Sequence, residues 1–157
     1  MTIRKILTEP NKLLRQISET VKKVGDVEKK LMDDMLDTMY EAPGIGLAAV
    51  QVGVPKRIIV MDISRDENNK EPRYFVNPVI KNKNKEKSTY EEGCLSVPDQ
   101  FAEIERPNSC EVEYLDYDGK KQILKAEGLL ATCIQHEMDH LEGILFIDYL
   151  SKLKKSM

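Results

Sequence analysis

The chain has 157 residues, the size of one domain and enough to bury a core without a metal or disulfide staple. Its 27 acidic and 24 basic side chains leave a net charge of -3, too little positive field to make nucleic acid, DNA included, the main substrate. The cysteines, Cys94, Cys110 and Cys133, are odd in number and form no C-x-x-C pair, which argues against a disulfide framework and for a reducing compartment.

Along the chain, Met1-Thr2-Ile3-Arg4-Lys5 reaches charge at once, and no apolar run approaches membrane-spanning length, so a cytoplasmic protein without a membrane partner is expected. Residues 26 to 42, DVEKKLMDDMLDTMYEA, predict an amphipathic helix with Asp26 as N-cap, Val27, Leu31, Met35, Leu36 and Met39 on its apolar face, and Pro43-Gly44 as a stop. RIIVMDI (57 to 63) and RYFVNPVI (73 to 80) read as strands, and the lysine-rich KNKNKEKS (81 to 88) as a solvated loop. EEGCLSVP (91 to 98) has a turn-like context between strand signals. Val112 and Tyr114 alternate with Glu111 and Glu113, and the Asp118-Gly119 turn then leads into KKQILKA, the pattern of a hairpin. A helix from about Gly128 to Leu141 carries a stripe of Leu130, Ile134, Met138 and Leu141, and Gly143 sits where a capping glycine would. Strands without crossover helices predict one α+β domain over 1–157, with mostly antiparallel sheets packed around the later helix and a second amphipathic helix near 26–42.

That later helix carries QHEMDH (135 to 140), and it holds both histidines of the chain. His136 and His140 stand four residues apart, on one helix face, a spacing at which two imidazoles close on a single ion. A catalytic site of this kind needs a third protein ligand and an open position. With no further histidine, the donor must be a carboxylate or thiolate, and Cys94, placed after Gly93 in a turn, stands out, because a divalent cation deprotonates a nearby thiol. Glu137 follows a ligand directly and is placed to act as general base on water acidified by the cation. A bare H-E-x-x-H match also arises by chance in charge-rich helices, so it does not decide alone.

Three ordered stretches, GIGLAAVQ (44 to 51), EGCLS (92 to 96) and QHEMDH, together resemble the signature set of the peptide deformylases, enzymes that remove the N-formyl group from nascent bacterial and organellar proteins. The resemblance runs through the intervening strands and both helices. It implies Cys94, His136 and His140 as ligands of one divalent cation, with Fe2+ expected and Zn2+, Ni2+ or Co2+ as alternatives. It implies Glu137 as the acid-base residue, with the side-chain amide of Gln51 and the backbone N–H of Leu95 as donors to the developing oxyanion. The peptide of a formyl-methionine substrate is expected to pair with backbone at Ile45 and Gly93, beside the small Gly44 and Gly46, the latter counted with the catalytic residues. Ile45, Leu129, Thr132 and Cys133 are expected to line the methionine pocket, and Glu92 with Arg106 to steady the loop bearing Cys94. Phe101, Ala42 and Pro43 depart from the usual pattern where residues after the methionine would run, and Thr132 is more polar than such a pocket suggests. The resemblance also allows a transient ribosome contact through Lys152, Lys154 and Lys155 of the tail, by a chain acting as a monomer.

Two other readings share the histidine pair. A zincin-type protease would draw its third ligand from downstream, where Glu142 is the one glutamate and lies very near on the helix. A binding module with a closed structural site would use four protein ligands and need neither Gln51 nor Glu137.

Overall fold

The computed structural model describes residues 2–64 and 66–150. An antiparallel sheet of five strands, in the order β1 (Gly46–Ala48), β2 (Ile58–Met61), β3 (Arg73–Lys83), β6 (Ser109–Leu115) and β7 (Lys121–Glu127), lies between two helices, α1 (Asp26–Glu41) and α2 (Gly128–Leu141). β4 (Lys87–Cys94) and β5 (Val97–Pro107) form a separate two-stranded sheet. The architecture is the expected α+β one, with antiparallel sheets packed around the helix that carries QHEMDH.

β2 shows why the sheet has a helix on each face. All four of its residues are buried, and because side chains alternate across a strand, Ile59 and Met61 join Phe75, Val112, Ala131 and Ile134 against α2, while Ile58 and Val60 join Met32, Met35 and Met39 against α1. A third cluster, Val97, Ile104, Leu145 and Phe146, fastens the two-stranded sheet to the chain beyond α2.

Several local expectations need correction. α1 begins at Asp26, so Asp26 is its first residue rather than its cap. The preceding Gly25 takes the cap position, its N–H donating to Glu28 Oε1 at 2.9 Å. Val27 is 71% exposed and the fully buried Met32 takes a place on the apolar face with Leu31, Met35 and Met39. The lysine-rich 81–88 segment is mostly strand: Lys81–Lys83 end β3, Lys87 and Ser88 begin β4, and only 84–86 turn between them. Those side chains are solvated as expected, but backbone pairing to Glu111 and Cys110 on one arm and to Pro107 and Arg106 on the other overrides their low strand propensity. Pro78 fits inside β3 because the ladder is irregular there: Asn77 has φ 51° and its side chain exchanges hydrogen bonds with the backbone of Val21.

Gly143 ends α2 with φ 74°, and a Cβ there would meet the Arg15 carbonyl oxygen at 2.3 Å, so both backbone angle and space require glycine. No helix among the described residues is long and apolar enough to cross a membrane. Lys152, Lys154 and Lys155 lie outside the described residues.

Candidate metal centre

α2 presents His136 and His140 one turn apart, with ring centroids separated by 5.2 Å, and both are buried. Cys94 arrives from the other sheet, as the last residue of β4 before the Leu95-Ser96 turn into β5. Its Sγ lies 3.4 Å from His140 Nε2, and the ligand-capable atoms of Cys94, His136 and His140 all fall within 4.8 Å of one another. Among the described residues the cluster comprises these three donors, the count of an open catalytic site rather than a closed structural one. Glu142, the alternative third ligand of the zincin reading, is ion-paired with Arg57.

The cluster fits a cation chemically: Glu92 engages His136 at Nδ1 and so leaves its Nε2, while His140 turns Nε2 toward the Cys94 sulfur, a set of two imidazole nitrogens and one thiol. Burial opposes charge on His136, yet its contacts with the Cys94 sulfur and the Glu92 carboxylate raise it to about 10. Burial and the neighbouring His136 hold His140 well below the ordinary imidazole value.

A carboxylate network orients His136. Glu92 Oε1 lies 2.8 Å from His136 Nδ1, and Glu92 accepts from Arg106 through both oxygens, at 2.7 and 3.0 Å. Glu92 and Arg106 are both about 5% exposed, and burial is offset by the fork geometry of the pair. Despite burial, Glu92 is held below the usual glutamate value by His136 and Arg106, and Arg106 is raised by Glu92 and Asp139. The pair that the sequence offers as a brace for the Cys94 loop therefore also touches the imidazole of His136, which fixes the ring nitrogen left for a metal.

Glu137, next to His136 in the chain, is buried with one carboxylate oxygen unpartnered among the described residues. Its other oxygen would lie 2.6 Å from a Cβ placed on Gly46, so any larger residue at 46 would displace the carboxylate. Burial, reinforced by the Glu92 and Asp139 carboxylates and opposed by His136 and Arg106, lifts Glu137 to about 7. Gln51 lies in a short 3-10 helix, Ala49–Val52, after β1. Its Oε1 accepts from Ala48 N–H at 2.9 Å, which forces the amide nitrogen toward Ser96 Oγ at 3.0 Å and Cys94 Sγ at 3.6 Å.

These groups line a cleft of about 800 Å³ between β1 and β4, strands with no sheet partner on the sides that face each other. Ile45, Gly46, Gln51, Gly93, Leu95, Leu129, Thr132 and Cys133 all line it, as do Ala42, Pro43 and Phe101. Thr132 is buried and its Oγ1 has no partner among the described residues. Phe101 is 69% exposed and lies across Gly93, where a Cβ would meet its ring at 2.6 Å.

Ser96, Asp139, Tyr149 and Phe146 also touch this machinery and are absent from the sequence reading. Asp139 lies inside QHEMDH, but its contact with Arg106 joins residues 33 apart, and no local pattern signals it. Ser96 follows Cys94 by two residues, so its proximity was legible but its hydrogen bond from Gln51 was not.

The polypeptide deformylase family model matches residues 3–156. A peptide deformylase of Pelagibacter ubique (strain HTCC1062) is 84% identical over the whole of this chain, which covers 91% of that protein. Among solved structures, the peptide deformylase from Ehrlichia chaffeensis has a TM-score of 0.92 at 46% identity, over 99% of this chain and 92% of that one. A Met-Ala-Ser-bound class I type b peptide deformylase from Acinetobacter baumannii has a TM-score of 0.88 at 32% identity, over 94% of this chain and 98% of that one. A match that runs nearly end to end, with backbone and sequence agreeing, leaves one assignment for the architecture and cluster described above: the chain belongs to the peptide deformylase family of metal-dependent hydrolases.

Proposed function

We propose that the chain hydrolyses the N-formyl group of formyl-methionine at the start of nascent polypeptides, releasing formate and a free amine. The observation that carries this reading is the convergence of Cys94, His136 and His140 beside the buried Glu137, at a cleft flanked by two unpaired strand edges. The Acinetobacter baumannii relative that holds Met-Ala-Ser supports the choice of a methionine-headed peptide.

A divalent cation held by Cys94 Sγ and the two imidazoles would supply a Lewis acid that polarises the formyl oxygen and acidifies water. Iron(II) is our reading for the cell, and the same donors suit zinc, nickel or cobalt. Glu137 takes the proton of the attacking water and returns it to the amine nitrogen as the C–N bond breaks. A carboxyl lifted by burial suits both transfers, because its two forms lie close in energy near neutral pH. Gln51, its oxygen tied back to Ala48, aims N–H groups toward the sulfur, where the formyl oxygen would gather charge. Leu95 N–H donates from the opposite turn. Gly46 leaves room for the Glu137 carboxylate. The peptide backbone pairs at Ile45 and Gly93, and the methionine side chain lies among Ile45, Leu129, Thr132 and Cys133.

The test is formate release from a formyl-Met tripeptide by protein purified without oxygen, alongside its bound metal and the same assay on Glu137→Gln. We expect rapid release by the wild type and a variant that keeps its metal and is nearly silent. Cleavage of an internal peptide bond, or equal inertness of both metal-loaded proteins, would overturn the reading. Loss of activity in air would support iron(II).

A further inference from the structure

The hydrogen bonds that orient His136 do not end at Arg106. Arg106 Nη1 donates to Asp139 Oδ2 at 2.8 Å, and the same oxygen accepts from the Tyr149 hydroxyl at 2.7 Å. The Tyr149 ring also lies under the guanidinium, 5.0 Å from its carbon. The whole line therefore runs from the ligand imidazole through Glu92, Arg106 and Asp139 to a tyrosine beyond the end of α2.

The same stretch of chain reaches His136 by a second route. Phe146, 1% exposed, stacks against the His136 ring with centroids 6.0 Å apart and planes 28° from parallel. The stretch is held at both ends: Leu145 N–H donates to Asp148, and Arg15 ion-pairs with Asp148 while also donating to Gly143 O. Leu145, Phe146, Asp148 and Tyr149 do not line the cleft.

We propose that Tyr149 is a positioning residue for the metal centre: its hydroxyl fixes the Asp139 carboxylate, which sets the rotation of the Arg106–Glu92 fork and so the orientation of the His136 imidazole. The physical basis is that a carboxylate shared by one strong cationic partner pivots about it, whereas a second, neutral donor on the same oxygen removes that freedom. Burial and the Asp139 carboxylate push the Tyr149 phenol up to about 12, so it stays a donor across the working range. The proposal rests on the assignment of Cys94, His136 and His140 as the metal ligands.

Cobalt(II) titration of the metal-free protein tests it, read by the thiolate-to-cobalt charge-transfer band and the visible ligand-field bands. Tyr149→Phe keeps the ring under Arg106 and removes only the O–H. It should weaken cobalt affinity by about tenfold, the low end for a group outside the ligand shell, shift the ligand-field bands, and lower kcat with KM unchanged. Asp139→Asn should do the same, and the double variant should be little weaker than Asp139→Asn alone, since the hydroxyl acts mainly through the Asp139 oxygen at 2.7 Å and meets Arg106 Nη1 directly only at 3.5 Å. Wild-type affinity and bands in Tyr149→Phe, whatever its melting temperature, would overturn the proposal. So would effects that add in the double variant. A wild type that binds cobalt with no charge-transfer band would instead remove the ligand assignment, and the proposal with it.

Discussion

The two helices face the same sheet from opposite sides and treat their buried polar atoms differently. α1 buries Leu31, Met32, Met35 and Met39 with two polar residues, and both are satisfied: Asp34 accepts from Arg4 and Lys30, while Thr38 Oγ1 donates to the Asp34 carbonyl and accepts from Arg4 N–H. α2 buries Thr132, Gln135, His136, Glu137 and His140, and leaves Thr132 Oγ1, Glu137 Oε1 and His140 Nδ1 without partners among the described residues. A buried polar atom without a partner costs about 1–3 kcal/mol, so α2 carries a strain that α1 does not. Both helices bury apolar core residues, but the orphaned polar atoms lie on the second.

If that division holds, substitutions on the two helices should separate activity from stability. The largest effect is expected from Glu137→Gln, which removes proton transfer while keeping shape. Formate release should fall on the order of 10²–10⁴-fold, and thermal unfolding of the metal-loaded protein should stay within a few degrees of wild type. A variant that unfolds instead would put Glu137 among the structural residues.

Asp34→Asn is the converse. Its carboxylate takes three charge-assisted hydrogen bonds, and losing them should cost about 2 kcal/mol of stability, read by denaturant titration, with kcat/KM unchanged. The pH dependence carries the same signature. Burial opposes charge on Asp34, but Lys30 and Arg4 hold its carboxyl below the usual value of 3.8. The unfolded chain therefore binds the proton first, and the stabilisation is complete above about pH 4–5 and lost as pH falls through the lower folded value. Acid unfolding of Asp34→Asn should lack this component, and an unchanged profile would break the contrast.

The smallest effect is expected from Thr132→Val, which removes one orphaned hydroxyl at nearly constant shape. It should raise stability by about 1 kcal/mol, or roughly 2–4 °C in melting temperature. KM for a formyl-Met substrate should fall slightly, because an apolar wall suits a thioether better. A loss of stability would show that the hydroxyl has a partner after all.

What was legible in the sequence follows the range of the interactions. The α2 boundaries, the hairpin across Asp118-Gly119 and the β2 and β3 cores rest on local periodicity and turn chemistry, and they lie where expected. Ligand chemistry singled out Cys94, the resemblance brought Gln51, Glu92 and Arg106 to attention, and the structure gathers all four around the histidine pair. Illegible were the features made by distant pairing: the strand character of Lys81–Lys83, set by β6, and the extension of the Glu92–Arg106 pair to Asp139 and Tyr149. The exposure of Val27 belongs with them, because helix periodicity does not say which turns of a helix the rest of the fold covers.

X-ray absorption at the metal edge of the loaded protein, wild type beside Cys94→Ser, decides whether one sulfur and two imidazoles share the cation. Two imidazole nitrogens and a single sulfur neighbour in the wild type, with the sulfur replaced by a light atom in the variant, is the predicted result. A wild-type shell without sulfur, or one filled by four protein donors, would contradict it.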